Sequence, residues 1–87
     1  MIFLSNLQKE TLFLVDKLVG ENKTHGEIEN ELLKNGYEFI KEIKNGYMSK
    51  TKTSLYKRDE NGKLENSFVD LIKRKNGLAS WETWRIS

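Results

Sequence analysis

Apolar residues follow two different rhythms along this chain. Up to residue 34 they recur at helical spacing, and from residue 47 onward they alternate. Leu4, Leu7, Thr11, Leu14, Val15 and Leu18 fall on one face, which predicts a helix over Ser5–Val19. Ser5-x-x-Gln8 has capping-box spacing at its start, and Gly20 ends it. Leu12 and Phe13 widen the apolar band, so this helix is expected to be covered on more than one side. Thr24-x-x-Glu27 opens a second helix, Thr24–Lys34, closed by Asn35-Gly36. Its narrow stripe of Ile28, Leu32 and Leu33 suits a helix lying on a surface.

Four Asn-Gly dipeptides, at 35–36, 45–46, 61–62 and 76–77, punctuate the chain. Both residues accept positive φ, so the last three mark hairpin turns. Tyr37–Lys44 fits a helix face or a strand almost equally; Asn-Gly at both ends favours a strand, with Tyr37, Phe39 and Ile43 on one side and Ile40 on the other. Tyr47–Lys57 sends Thr51, Thr53 and Leu55 one way and Lys50, Lys52, Ser54 and Tyr56 the other. Lys63–Lys75 and Leu78–Ile86 follow. A two-residue turn at Asn76-Gly77 pairs Val69 with Trp84 and Ile72 with Trp81. It gathers Val69, Leu71, Leu78, Trp84 and Ile86 on a core face, and Phe68, Ile72 and Trp81 on the opposite one.

At Asp59–Lys63 a three-residue turn with a bulge is preferred, because it keeps Lys50 and Lys52 out of the core. The opposite parity, with Phe68, Ile72 and Trp81 packed under the first helix, stays open. The expected fold is α+β: two N-terminal helices packed on a three- to four-stranded antiparallel β-meander, in one small domain over 1–87.

The 87 residues bury only about 60–65% of the unfolded surface, so the core is thin. There is no Cys, which removes disulfides, thiolate nucleophiles and Cys-ligated zinc. No signal-peptide core or membrane-length apolar run is present in the sequence, and a cytoplasmic protein without membrane contact is expected. The net charge is +2, unevenly spread: residues 1–42 hold five Lys against eight acids, and residues 43–87 hold ten basic residues against five acids. The basic half is the predicted sheet.

Candidate chemistry is sparse. His25, the single histidine, is read as an exposed helix-start residue, since no nucleophile or second ligand accompanies it. Glu27, Glu29 and Glu31 read as a solvated face. No phosphate loop, nucleophile elbow or Cys/His cluster occurs, so no catalytic group, metal or small-molecule cofactor is expected. Lys73-Arg74-Lys75, before a hairpin tip, reads chiefly as a solubility device. The candidate contact surface is the second sheet face, presenting Lys50, Lys52, Tyr56, Phe68, Arg74, Trp81 and Arg85. Rings stack on bases and cations follow phosphates, while a central aromatic equally anchors a protein contact.

The stretch Glu31-Leu-Leu-Lys-Asn-Gly-Tyr-Glu-Phe-Ile, followed by Asn45-Gly46-Tyr47, resembles the opening of HicA-like toxins. The resemblance implies RNA cleavage through a histidine on the second strand, and positions 47–53 contain none. A winged helix-turn-helix offers a second comparison, with 24–34 as second helix, 37–45 as recognition helix and 47–75 as wing. The functional expectation is a non-catalytic binding protein. Size and Lys/Asn-rich composition suit a phage or mobile-element accessory protein that inhibits a host nucleic-acid-handling or defence complex. The alternative is a small DNA- or RNA-binding regulator. The expected partner is therefore a protein or a nucleic acid.

Overall fold

The computed structural model describes residues 5–44 and 50–83. Helix α1 spans Asn6–Gly20 and begins at Ser5, whose Oγ accepts the Gln8 N–H. Helix α2 spans His25–Lys34 behind a complete capping box: Thr24 Oγ1 accepts from the Glu27 N–H, and Glu27 Oε1 accepts from the Thr24 N–H. These backbone bonds hold the Glu27 carboxyl below its usual range. The His25 N–H donates to the Gly77 carbonyl at 2.9 Å, tying the start of α2 to the last hairpin turn.

Four strands follow: β1 (Tyr37–Lys44), β2 (Lys50–Arg58), β3 (Leu64–Lys73) and β4 (Ala79–Thr83). They pair antiparallel in sequence order, so the sheet is a meander. The fold is α+β with N-terminal helices, as the alternating and helical rhythms imply. Segment 37–44 is a strand, which leaves the winged-helix comparison without its recognition helix.

Both helices lie on one side of the sheet, α1 over β3 and β4, α2 over β1 and β3. Val15 and Leu18 of α1 and Ile28 and Leu32 of α2 join Tyr37, Leu55, Val69, Leu71 and Ala79 in one buried cluster. Register explains the selection. Phe39 faces Leu55, Thr53 faces Leu71, and Leu71 faces Trp81, so odd-numbered positions turn toward the helices.

Both described hairpin loops have one construction. At 59–63 the Asp59 N–H donates to Lys63 O and the Gly62 N–H to Asp59 O; at 74–78 the Arg74 N–H donates to Leu78 O and the Gly77 N–H to Arg74 O. Each is a three-residue loop closed by a left-handed glycine, Gly62 at φ +80° and Gly77 at φ +83°. The first matches the bulged turn expected there. The second corrects the two-residue turn expected at Asn76-Gly77. One extra loop residue slips β4 by one position, so Val69 faces Thr83 rather than Trp84, and Trp81 faces Leu71 rather than Ile72. Trp81 therefore lies on the helix side.

The breadth of burial expected for α1 also needs correction. Its buried positions are Gln8, Thr11, Val15 and Leu18, while Phe13 is 78% exposed. The helix buries one face only. Leu4, Trp84, Ile86 and the turn at Asn45-Gly46 lie outside the described residues.

Candidate functional site

The main irregularity of the sheet is in β3. Ser54 pairs with Asp70 and Tyr56 with Asn66, leaving Leu55 alone opposite Ser67, Phe68 and Val69. Two extra residues preserve parity, so Ser67 and Val69 both stay buried with Leu55. Phe68 between them takes φ +57°, the left-handed region that a bulky side chain avoids at a cost of about 1–2 kcal/mol. Local side chains hold this shape. Asn66 Oδ1 accepts the Phe68 N–H at 2.9 Å, Ser67 Oγ accepts the Val69 N–H at 3.2 Å, and the Ser67 hydroxyl donates to Leu55 O at 2.6 Å. Asn and Ser bond readily to nearby backbone, and the Asn66-Ser67 pair is the sequence signal for this bulge.

Even-numbered positions form the face turned away from the helices, and that face has two halves. Around Lys52, Asp70 and Ile72 it is closed: Asp70 and Ile72 are buried, and Lys52 Nζ lies 3.4 Å from Asp70 Oδ2 with its side chain 14% exposed. Around Ile40, Tyr56, Leu64 and Phe68 it is open. Ile40 is 54% exposed, Leu64 is exposed, and the two rings are half-buried. At the rim of this open half Arg58 Nε meets Glu38 Oε2 at 2.7 Å. Both cations described on this face are thus held by carboxylates of the same chain.

The residues expected to share one contact surface are divided by the structure. Tyr56 pairs with Asn66, two residues before Phe68, and both rings are half-buried, while Lys52 belongs to the closed half beside Asp70. Arg74 is exposed at the β3–β4 loop, away from both rings. Trp81 is on the other side of the sheet, where its Nε1–H donates to Asp16 Oδ1 of α1 at 3.1 Å. The side chain of Lys50, and all of Arg85, lie outside the described residues. Ile40 and Leu64 join the surface in place of Trp81. Ile40 was legible as the odd member of its strand, opposite in parity to Tyr37 and Phe39.

His25 is not exposed, contrary to the sequence expectation. It is 4% exposed, because the contact of its backbone with Gly77 and the Thr24–Leu78 bridge draw the start of α2 onto the sheet. His25 Nδ1 lies 3.1 Å from Glu29 Oε1 one turn later, and Glu29 Oε2 lies 2.8 Å from Lys41 Nζ on β1. A carboxylate orienting an imidazole is a familiar catalytic element. Here the remaining ring nitrogen, Nε2, is buried and meets no partner among the described residues, so the pair braces α2 against the sheet. Among the described residues no three His, Cys, Asp or Glu side chains gather at metal-binding distance.

Burial lowers the His25 pKa most; Glu29 opposes the shift, and Lys41 and Lys73 reinforce it. The folded-state value lies below 6.5, so the unfolded chain takes up the proton first as pH falls. Stability from His25 is intact above that value and is lost as pH drops below it toward the folded-state pKa. Thermal melts between about pH 7.5 and about pH 5.5 are expected to show a falling Tm, with a shallower slope for His25→Gln. Equal slopes for the two proteins would remove His25 as the cause.

No described helix is long and apolar enough to cross a membrane. No family model, curated protein or solved structure matches this chain.

Proposed function

We propose that this chain is a non-catalytic protein-binding module whose contact surface is the open half of the outer sheet face: Ile40, Tyr56, Leu64 and Phe68, rimmed by the Glu38–Arg58 pair. The observation that carries the reading is the backbone of Phe68. A bulky residue held at φ +57°, with its own N–H donated to Asn66 Oδ1 and the next N–H donated to Ser67 Oγ, is costly, and such strain concentrates at functional positions. A few residues carry most of the energy of a protein contact, and aromatic side chains are enriched at its core. The burial of His25 supports a non-catalytic role, since the only imidazole is turned away from solvent.

The charge arrangement favours a protein over a nucleic acid. Phosphate binding depends on cations that can exchange counterions for phosphates. Lys52 is engaged by Asp70 and Arg58 by Glu38, so each would have to surrender a carboxylate first. The finer reading, an accessory protein that inhibits a host nucleic-acid-handling or defence complex, draws its support from small size and Lys/Asn-rich composition.

Phe68→Gly separates binding from folding. Glycine adopts positive φ freely, so the relief of strain offsets the lost ring contacts, and the folding free energy is expected to change by no more than about 1 kcal/mol. Partner capture from nuclease-treated lysate is expected to fall at least tenfold, about 1.4 kcal/mol or more of binding energy. Capture that disappears with nuclease in the unmodified protein would select the nucleic-acid alternative. Undiminished capture by the variant would remove Phe68 from the contact.

A further inference from the structure

The opposite side of the molecule carries a second surface. Lys9, Leu12, Phe13 and Asp16 of α1, with Trp81 of β4, line an open hollow of about 420 Å³. Phe13 is the most exposed of the large apolar side chains described, at the centre of this stripe. From Lys9 to Asp16 each step through Leu12 or Phe13 is three or four residues, so these positions form one ridge two turns long with Leu12 and Phe13 side by side at its middle.

We propose that this ridge is the interface of a two-fold symmetric homodimer, with α1 packing antiparallel on α1 of a second copy. The charge order identifies the occupant. Lys9 lies as far before the midpoint of Leu12 and Phe13 as Asp16 lies after it, about 5 Å along the axis at 1.5 Å rise per residue. An antiparallel two-fold through that midpoint sets Lys9 of each copy against Asp16 of the other, and Leu12 and Phe13 against Phe13 and Leu12. A single patch thereby complements itself, as an isologous interface requires. Parallel packing would instead set Lys9 against Lys9 and Asp16 against Asp16.

Trp81 prepares the acid end of the ridge. Its indole N–H donates to Asp16 Oδ1, which fixes the carboxylate and leaves Oδ2 for a cross-dimer lysine. Among the described residues no acid of the same chain pairs with Lys9, so its ammonium is available to the second copy. The outer sheet faces stay uncovered at opposite ends of the dimer. The assembly is independent of what those faces bind, and it would make the protein bivalent for that partner. The ridge is short, which places the dimer among weak, reversible assemblies.

Sedimentation equilibrium between about 10 μM and about 1 mM covers the range in which such contacts populate. The unmodified protein is expected to move from monomer to dimer across it, and Phe13→Ser is expected to stay monomeric. Lys9→Asp and Asp16→Lys are each expected to weaken association at least fivefold. The double variant Lys9→Asp/Asp16→Lys restores it, because the swapped charges again face each other. Circular dichroism on each variant confirms that the fold is kept; Phe13 and Lys9 are exposed, so folding does not depend on them. A monomer at every concentration overturns the proposal. So does a Phe13→Ser protein that associates as the unmodified one does, or a double swap no better than the singles.

Discussion

Replacing Leu71 by Ala is expected to remove about 2–5 kcal/mol of folding free energy. Leu71 is fully buried at the centre of the sheet, between Thr53 of β2 and Trp81 of β4 and beneath the helices. Truncation there loses the transfer free energy of the side chain and leaves a cavity. The surrounding strands are fixed by hydrogen bonds on both sides, so they can close it only in part. At roughly 0.05–0.15 kcal/mol per residue, a chain of this length has about 4–13 kcal/mol in total. The variant is therefore expected to lose from about a sixth of its stability, if the total is at the upper end, to all of it at the lower end, where it would be largely unfolded at 25 °C. Leu33→Ala is the matched control, since Leu33 is 55% exposed on α2, and a change within about 0.5 kcal/mol is expected. Urea denaturation followed by circular dichroism measures both. Equal effects at the two leucines would show that the core is not where the buried cluster places it.

Much of this architecture could be read from residue types. Helix limits were set within one residue at each end by Ser5, Gly20, Thr24 and Asn35-Gly36, because caps and glycines act locally. Strand β1 followed from Asn-Gly punctuation. Face assignment depended on loop length, which Asn-Gly does not determine. The dipeptide closes a two-residue turn, or it supplies the left-handed glycine that ends a three-residue loop. At 59–62 the cost of burying Lys50 and Lys52 selected the bulged form. At 76–77 the two-residue form set Glu82 near the edge of the core face, and that single charge did not outweigh the apolar residues gathered beside it, which left the extra loop residue unread. The structure resolves it through Asn76, whose Oδ1 accepts the Leu78 N–H. That one residue moves Trp81 from the supposed contact face to the helix side, where it bonds Asp16. Trp81 therefore does not share a face with Tyr56, whose position depends on the other loop.

The β3 bulge and the burial of His25 were not read from the sequence for a different reason. Both depend on contacts between distant segments. Ser67 bonds to Leu55, and the start of α2 bonds to Gly77. Asn66-Ser67 permits a local turn at the bulge, but the Ser67 hydroxyl reaches Leu55 O only once β2 and β3 are paired. Phe68 belongs to the same category: its left-handed backbone runs against its own preference and is imposed by neighbours.

Tyr37→Ala is expected to cost about 3–5 kcal/mol, and comparison with Tyr37→Phe separates packing from polarity. Tyr37 opens β1, is 2% exposed and packs against the helices. Its hydroxyl lies 2.9 Å from Thr11 Oγ1 in the buried face of α1. Lys57 Nζ stands 5.0 Å from the ring centroid and 3.0 Å from Glu10 Oε1, so one ring joins β1, β2 and α1. Tyr37→Phe keeps the ring and the cation contact but leaves the Thr11 hydroxyl buried without that bond, costing about 1–2 kcal/mol. Adding Thr11→Val removes the orphaned hydroxyl, so the double variant Tyr37→Phe/Thr11→Val is expected to recover part of the loss rather than to sum the two effects. Additive single effects would mean that the two hydroxyls do not act as a pair. The first strand would then be held under α1 by shape alone.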